Sequence, residues 1–135
     1  MSAKTVKPLN YFFIWAVIGW LGVATVCYLS LTPKPPQIDI AILQWDKLHH
    51  FMAYAVLMGW FMQLYYTVKA RLFYLCGFIA LGVGLEVLQS LGPVRQFEWA
   101  DMLANTLGAL SAVLVTRGPV QHLLYYFERY VLKRI

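Results

Sequence analysis

From Tyr11 to Leu31 the chain runs for 21 residues without a charge. As a helix, at ~1.5 Å per residue, that run reaches ~30 Å, the thickness of the hydrocarbon core of a bilayer. Lys4 and Lys7 precede it, as basic residues precede the apolar core of a secretion signal. The run is longer than the ~7–15 residues of such a core, and Leu29-Ser30-Leu31-Thr32-Pro33 offers no small-x-small cleavage site. It reads as a retained first span, ended by Thr32-Pro33-Lys34-Pro35-Pro36, where proline breaks any helix.

Three more stretches repeat the pattern. The second span is expected over about 46–68, entered through Asp46-Lys47-Leu48-His49-His50 and left through Tyr65-Tyr66, aromatic residues suited to a membrane interface. A short turn with Lys69 and Arg71 leads to the third, about 72–91, which Gly92-Pro93 terminates. The fourth, about 98–116, carries Ala104, Gly108 and Ala112 every four residues, a small-residue stripe that lets another helix approach. Beyond Gly118-Pro119, the residues Leu123, Leu124, Phe127, Val131 and Ile135 recur at helical spacing, with Gln121, His122, Glu128, Arg129 and Lys133 largely elsewhere on the wheel. That piece, about 119–134, reads as an amphipathic helix lying on the membrane. Composition supports lipid as the solvent: 61% of residues are hydrophobic and 13% charged, against roughly 45–50% and about 25% in a soluble domain. The expectation is an all-α fold, a single domain forming a four-helix transmembrane bundle with an interfacial C-terminal helix.

Four spans place both termini on one side. Lys4, Lys7, Lys69, Arg71, Arg117, Arg129, Lys133 and Arg134 then fall on the terminal side, and Lys34, Lys47 and Arg95 on the other, eight of the 11 basic residues against three. The positive-inside rule puts the termini in the cytoplasm. The net charge of +5 fits that rule, and no nucleic-acid-binding motif accompanies it. Cys27 and Cys76 fall toward opposite ends of their helices and are expected as free thiols.

The acids gather at the other face. Asp46, Lys47, His50 and Tyr54 begin the second span, Glu86 and Gln89 end the third, and Arg95, Glu98, Asp101 and Asn105 lead into the fourth. Start, end and start of alternating spans meet at one face. Asp46, His50 and Tyr54 are spaced i, i+4, i+8, Glu86 and Gln89 i, i+3, and Asp101, Asn105 and Gly108 i, i+4, i+7, so each set forms one stripe. Ionisable groups inside a bilayer cost up to roughly 2.5–3.5 kcal/mol each at its centre on insertion scales, which favours stripes that face one another across the bundle.

Asp46-Lys47-x-x-His50-x-x-x-Tyr54, Glu86-x-x-Gln89 and Arg95-x-x-x-x-x-Asp101-x-x-x-Asn105-x-x-Gly108, in that order, resemble the VanZ-like family of small bacterial multi-pass membrane proteins. The resemblance covers roughly 46–112, with the first span matching in hydropathy only. It implies a bacterial inner-membrane protein of the cell envelope. The family's name-giving member is associated with resistance to the glycopeptide antibiotic teicoplanin, by a mechanism that is not established. The family gives a fold and a setting, not a reaction.

Three roles fit the cluster. In a binding or accessory protein, Lys47 and Arg95 hold an anionic or lipid-linked envelope component, with Tyr54, Glu86, Gln89, Asp101 and Asn105 around its polar groups. In an enzyme, His50 acts as acid or base oriented by Asp46 or Glu86 on an envelope lipid, although the cluster contains no convincing Ser or Cys nucleophile. In an assembly protein, pairs such as Arg95 with Asp101 or Glu86, and His50 with Asp46, only order the bundle. A metal held by His50, Glu86 and Asp101 is chemically possible, but no compact ligand motif supports it and no cofactor is expected. Membrane lipids are the expected partners, with a lipid-linked glycan or envelope precursor as the candidate ligand.

Overall fold

The computed structural model describes residues 8–33, 46–92 and 97–132. Their regular structure is helical: α1 (Phe12–Leu31), α2 (Asp46–Leu64), α3 (Val68–Ser90), α4 (Trp99–Val115), a 3-10 helix (Gly118–His122) and α5 (Leu123–Tyr130). The all-α bundle expected from the sequence is present. Among the described residues, α1 and α3 are long and apolar enough to cross a membrane, with mean hydropathies of 2.0 and 1.8. The segment from α4 to α5 passes the same test only as a pair bent by 96°.

The helix α2 falls short because Asp46, Lys47, His49, His50 and Gln63 dilute it, and its position explains how it tolerates them. It is the central helix, burying Leu57, Met58, Phe61, Met62 and Leu64. A helix shielded by its neighbours need not be apolar all round. Its closest partner is α4: a Cβ built on Gly108 would lie 2.1 Å from the carbonyl oxygen of Phe51. Ala104 and Ala112 of the same small-residue stripe are also buried. Aromatic packing joins α2 to α3, with Phe61 5.3 Å from Phe78 and 4.7 Å from Tyr74 between ring centroids. The outer faces carry large exposed apolar side chains, including Phe13, Trp20 and Leu21 on α1 and Leu72, Phe73 and Leu88 on α3. In water such surface would drive aggregation; in lipid it is solvated.

Polar contacts at the two ends fix the helix directions. Gln89 Nε2, near the end of α3, donates to Ser30 O near the end of α1 at 2.6 Å. At the opposite end Gln63 Nε2, from the last turn of α2, donates to Val120 O at 2.7 Å, and Gln63 Oε1 accepts from Leu124 N at 3.4 Å. So α1 and α3 run one way and α2 and α4 the other.

Two boundaries differ from the sequence reading. The turn expected around Lys69 and Arg71 lies earlier, because the Thr67 side chain accepts from Ala70 N at 3.3 Å and caps α3. Lys69 and Arg71 therefore belong to the first turn of α3. The C-terminal segment is a 3-10 turn followed by eight residues of α-helix, not one continuous helix from 119. Leu123, Phe127 and Val131 are exposed, as the apolar face of an interfacial helix would be. Glu128 departs from the wheel: it is 0% exposed. Its Oε2 accepts from Asn10 N at 2.7 Å, and its Oε1 from Tyr11 N at 3.1 Å and Trp15 Nε1 at 2.6 Å. The carboxylate thus satisfies amide donors at the start of α1, where the helix dipole also favours a negative charge.

Candidate functional site

The polar end of the bundle is assembled from α2, α3 and α4. Lys47, in the first turn of α2, bonds Glu98 Oε2 and Asp101 Oδ1 through its Nζ. One turn further, the His50 ring is held on both sides. Its Nδ1 lies 3.1 Å from Asn105 Oδ1 and its Nε2 3.4 Å from Asp101 Oδ2. Asp101 and Asn105 are spaced i, i+4 on α4, and Lys47 and His50 i, i+3 on α2, so two helix faces meet as the spacing requires. Asp101 is 5% exposed and bridges Lys47 and His50 with its two oxygens.

From α3, Glu86 is 2% exposed and accepts the backbone N–H of Glu98 through Oε1 at 2.7 Å. It joins the end of α3 to the residue that opens α4. Its other oxygen, Oε2, is buried and has no hydrogen-bond partner among the described residues. The same holds for the hydroxyl of Tyr54, itself 2% exposed. The Lys47 and Glu98 side chains, 42% and 52% exposed, form the rim.

The structure thus brings together Lys47, His50, Asp101 and Asn105 in one network, with Glu98 on its rim and Glu86 tied in through the Glu98 backbone. Gln89 turns away to the Ser30 carbonyl and ties α3 to α1. Among the described residues the carboxylate beside His50 is Asp101; the Asp46 side chain and Arg95 lie outside the described residues, so the roles expected of them carry forward from the sequence alone. Among the described residues no three His, Cys, Asp or Glu side chains converge as metal ligands would.

Sequence reasoning passed over Gly82. A Cβ there would lie 3.1 Å from Asn105 Cβ and 3.4 Å from Tyr54 Cε1. The missing side chain lets α3 close over both residues. The signal was present, since Gly82, Glu86 and Gln89 are spaced i, i+4, i+7 on a single face.

Apolar outer helices around a cluster of ionisable side chains at one end define a helical membrane protein with one concentrated polar site. More specifically, the chain belongs to the VanZ/LLP1 family, whose model matches residues 6–124. The match takes in α1 to α4 and reaches the start of α5. No curated protein and no solved structure matches the chain.

Proposed function

We propose that this is a multi-pass protein of the bacterial inner membrane, with both termini cytoplasmic, whose outer-face cluster binds the polar head of a lipid-linked envelope component. The observation that carries the reading is that two buried oxygens of the cluster, Glu86 Oε2 and the Tyr54 hydroxyl, have no hydrogen-bond partner among the described residues. A buried polar atom without a partner costs about 1–3 kcal/mol, a penalty that a ligand's hydroxyl or amide groups would relieve. The described part of the cluster sets one cation, Lys47, against three carboxylates, Glu86, Glu98 and Asp101. Lys47 is already engaged by two of them. That excess of acceptors suits a donor-rich group such as a sugar, and leaves Arg95 as the clamp for an anionic phosphate next to it. Such a ligand would set the protein in the same envelope setting as the family's name-giving member, which is associated with teicoplanin resistance.

Native mass spectrometry of the purified protein with a polyprenyl-diphosphate-linked sugar, and with the bare polyprenyl phosphate, tests this. Wild type should retain the sugar-bearing lipid in preference to the bare phosphate. Tyr54→Phe should lose that preference while unfolding at the same temperature or higher, and Arg95→Ala should weaken retention of both. Equal retention by wild type and Arg95→Ala would count against the site.

A catalytic reading has one observation in its favour, the His50–Asp101 contact at 3.4 Å, a histidine paired with a carboxylate. On that reading His50 would move a proton during attack by water or a substrate hydroxyl on an envelope lipid. Product formed from extracted lipids by wild type and not by His50→Ala would establish it; no product across lipid classes would remove it.

A further inference from the structure

At the end of the bundle opposite the acidic cluster, a half-open groove of about 240 Å³ runs between α3 and the end of α4. Val68, Arg71, Leu72, Leu75, Val113 and Arg117 line it. The four residues from α3 are spaced i, i+3, i+4, i+7, so they form one face: three apolar side chains and a single guanidinium.

That guanidinium is held in place. Arg71 Nη2 donates to Gln121 Oε1 at 2.7 Å and Nε to Tyr65 O at 3.5 Å, and Nη1 bonds nothing among the described residues. Arg117, at the break between α4 and the 3-10 turn, is exposed, and its side chain makes no hydrogen bond or ion pair among the described residues. Two cations therefore flank an apolar floor, at the end of the bundle where the basic residues concentrate. From Leu72, 54% exposed, the apolar face of α3 continues beyond the groove to Val83, 36% exposed.

We propose that this groove binds an anionic glycerophospholipid, its phosphate between Arg71 and Arg117 and an acyl chain along Leu72, Leu75 and Val83. Charge complementarity selects the headgroup. A guanidinium is suited to bidentate contact with phosphate oxygens. The apolar floor favours a phosphate that carries a hydrocarbon chain over inorganic phosphate. At about 240 Å³ the groove is smaller than the ~300–1,000 Å³ of sites that enclose a whole drug-sized ligand, so it takes a headgroup and leaves the chains outside, on the lipid-facing side of α3. The fixed Arg71 also links lipid binding to the C-terminal segment through Gln121.

The test is native mass spectrometry of the full chain in detergent with equimolar phosphatidylglycerol and phosphatidylethanolamine. It shares neither probe nor variant with the test of the acidic cluster, so the two can fail separately. Wild type should retain phosphatidylglycerol in preference to phosphatidylethanolamine. Arg117→Gln should lower phosphatidylglycerol retention about fivefold, the factor expected for one basic residue at a charged lipid surface. Leu72→Trp, which fills the groove without changing charge, should lower it as well. Lys69→Gln removes an exposed charge at the same end but outside the groove, and should leave retention near wild type. Undiminished binding by Arg117→Gln, or an equal loss in Lys69→Gln, would overturn the groove as the site.

Discussion

Trp15 Nε1 donates to Glu128 Oε1 at 2.6 Å, across 113 residues of sequence. The bond belongs to a set of three through which one buried carboxylate fastens α5 to the start of α1. Because α4 and α5 are bent 96° apart, this contact, together with Gln63, holds the C-terminal segment against the bundle.

Glu128→Gln should therefore be strongly destabilising. The amide keeps one acceptor oxygen and turns a donor toward groups that are themselves donors. A hydrogen bond to a charged group contributes about 1.5–3 kcal/mol, so the loss should reach at least that range, whereas Trp15→Phe, which removes one bond, should cost less. Thermal unfolding in detergent reads both. Trypsin should also cut faster after Arg117 in Glu128→Gln. Unchanged melting and proteolysis would show that the clamp contributes nothing.

This clamp was not legible in the sequence, and the reason is physical. A helical wheel sorts residues into apolar and polar faces, and a carboxylate falls on the solvent face unless something else is known to cover it. What covers Glu128 is the first turn of α1, more than a hundred residues away. The site cluster was legible for the opposite reason. Lys47 with His50, and Asp101 with Asn105, are each spaced by one helical turn, and lipid leaves ionisable residues only the bundle interior. Tyr54 and Glu86 follow from the same logic, but the contact of His50 with Asp101 depends on how α2 and α4 are rotated against each other, which spacing does not encode. The Thr67 cap was hidden inside Tyr65-Tyr66-Thr67-Val68, an apolar stretch that hydropathy assigns to the preceding span.

The glycines offer a sharper contrast. Gly108→Ala places a Cβ 2.1 Å from Phe51 O, a backbone atom that cannot turn aside. Overpacking of this kind costs about 1–3 kcal/mol, and more where backbone must move. Little folded protein should be recovered. Gly84→Ala meets nothing within 4 Å and should behave as wild type. Fluorescence-detected size exclusion on the two variants compares them directly, and equal recovery would refute the close α2–α4 packing.

Orientation can be read by labelling in intact cells, on a background in which Cys27 and Cys76 are replaced by Ser. With cytoplasmic termini, a membrane-impermeant maleimide should modify Gln37→Cys and not Lys69→Cys until the cells are opened. The reverse pattern would invert the topology and move the acidic cluster to the cytoplasmic face.

Asp101→Asn separates ordering of the bundle from ligand recognition. Asp101 holds Lys47 with one oxygen and faces His50 with the other, and it is buried, so the neutral amide removes one of the two carboxylates that hold Lys47 among the described residues. Breaking a buried pair on one side costs about 3–5 kcal/mol, reduced here because Lys47 is partly exposed. Stability and ligand retention should fall together in this variant. Tyr54→Phe should reduce retention without loss of stability. If every cluster variant moved both quantities in parallel, Tyr54→Phe included, the network would be an ordering device and not a binding site.

His50 is where the binding and catalytic readings diverge most. Its two nitrogens face Asn105 Oδ1 and Asp101 Oδ2, so in either reading the ring bridges two positions of α4. Bridging requires a polar side chain of suitable length; proton transfer requires an imidazole. Glutamine meets the first requirement and not the second. On the binding reading, His50→Gln should keep most of the retention of the sugar-bearing lipid that His50→Ala loses, with a melting temperature between those of His50→Ala and wild type. On the catalytic reading, His50→Gln and His50→Ala should be equally inactive on extracted lipids while His50→Gln remains folded. The two substitutions, assayed for lipid retention and for product in the same preparations, decide whether the imidazole matters for its hydrogen bonds or for its proton.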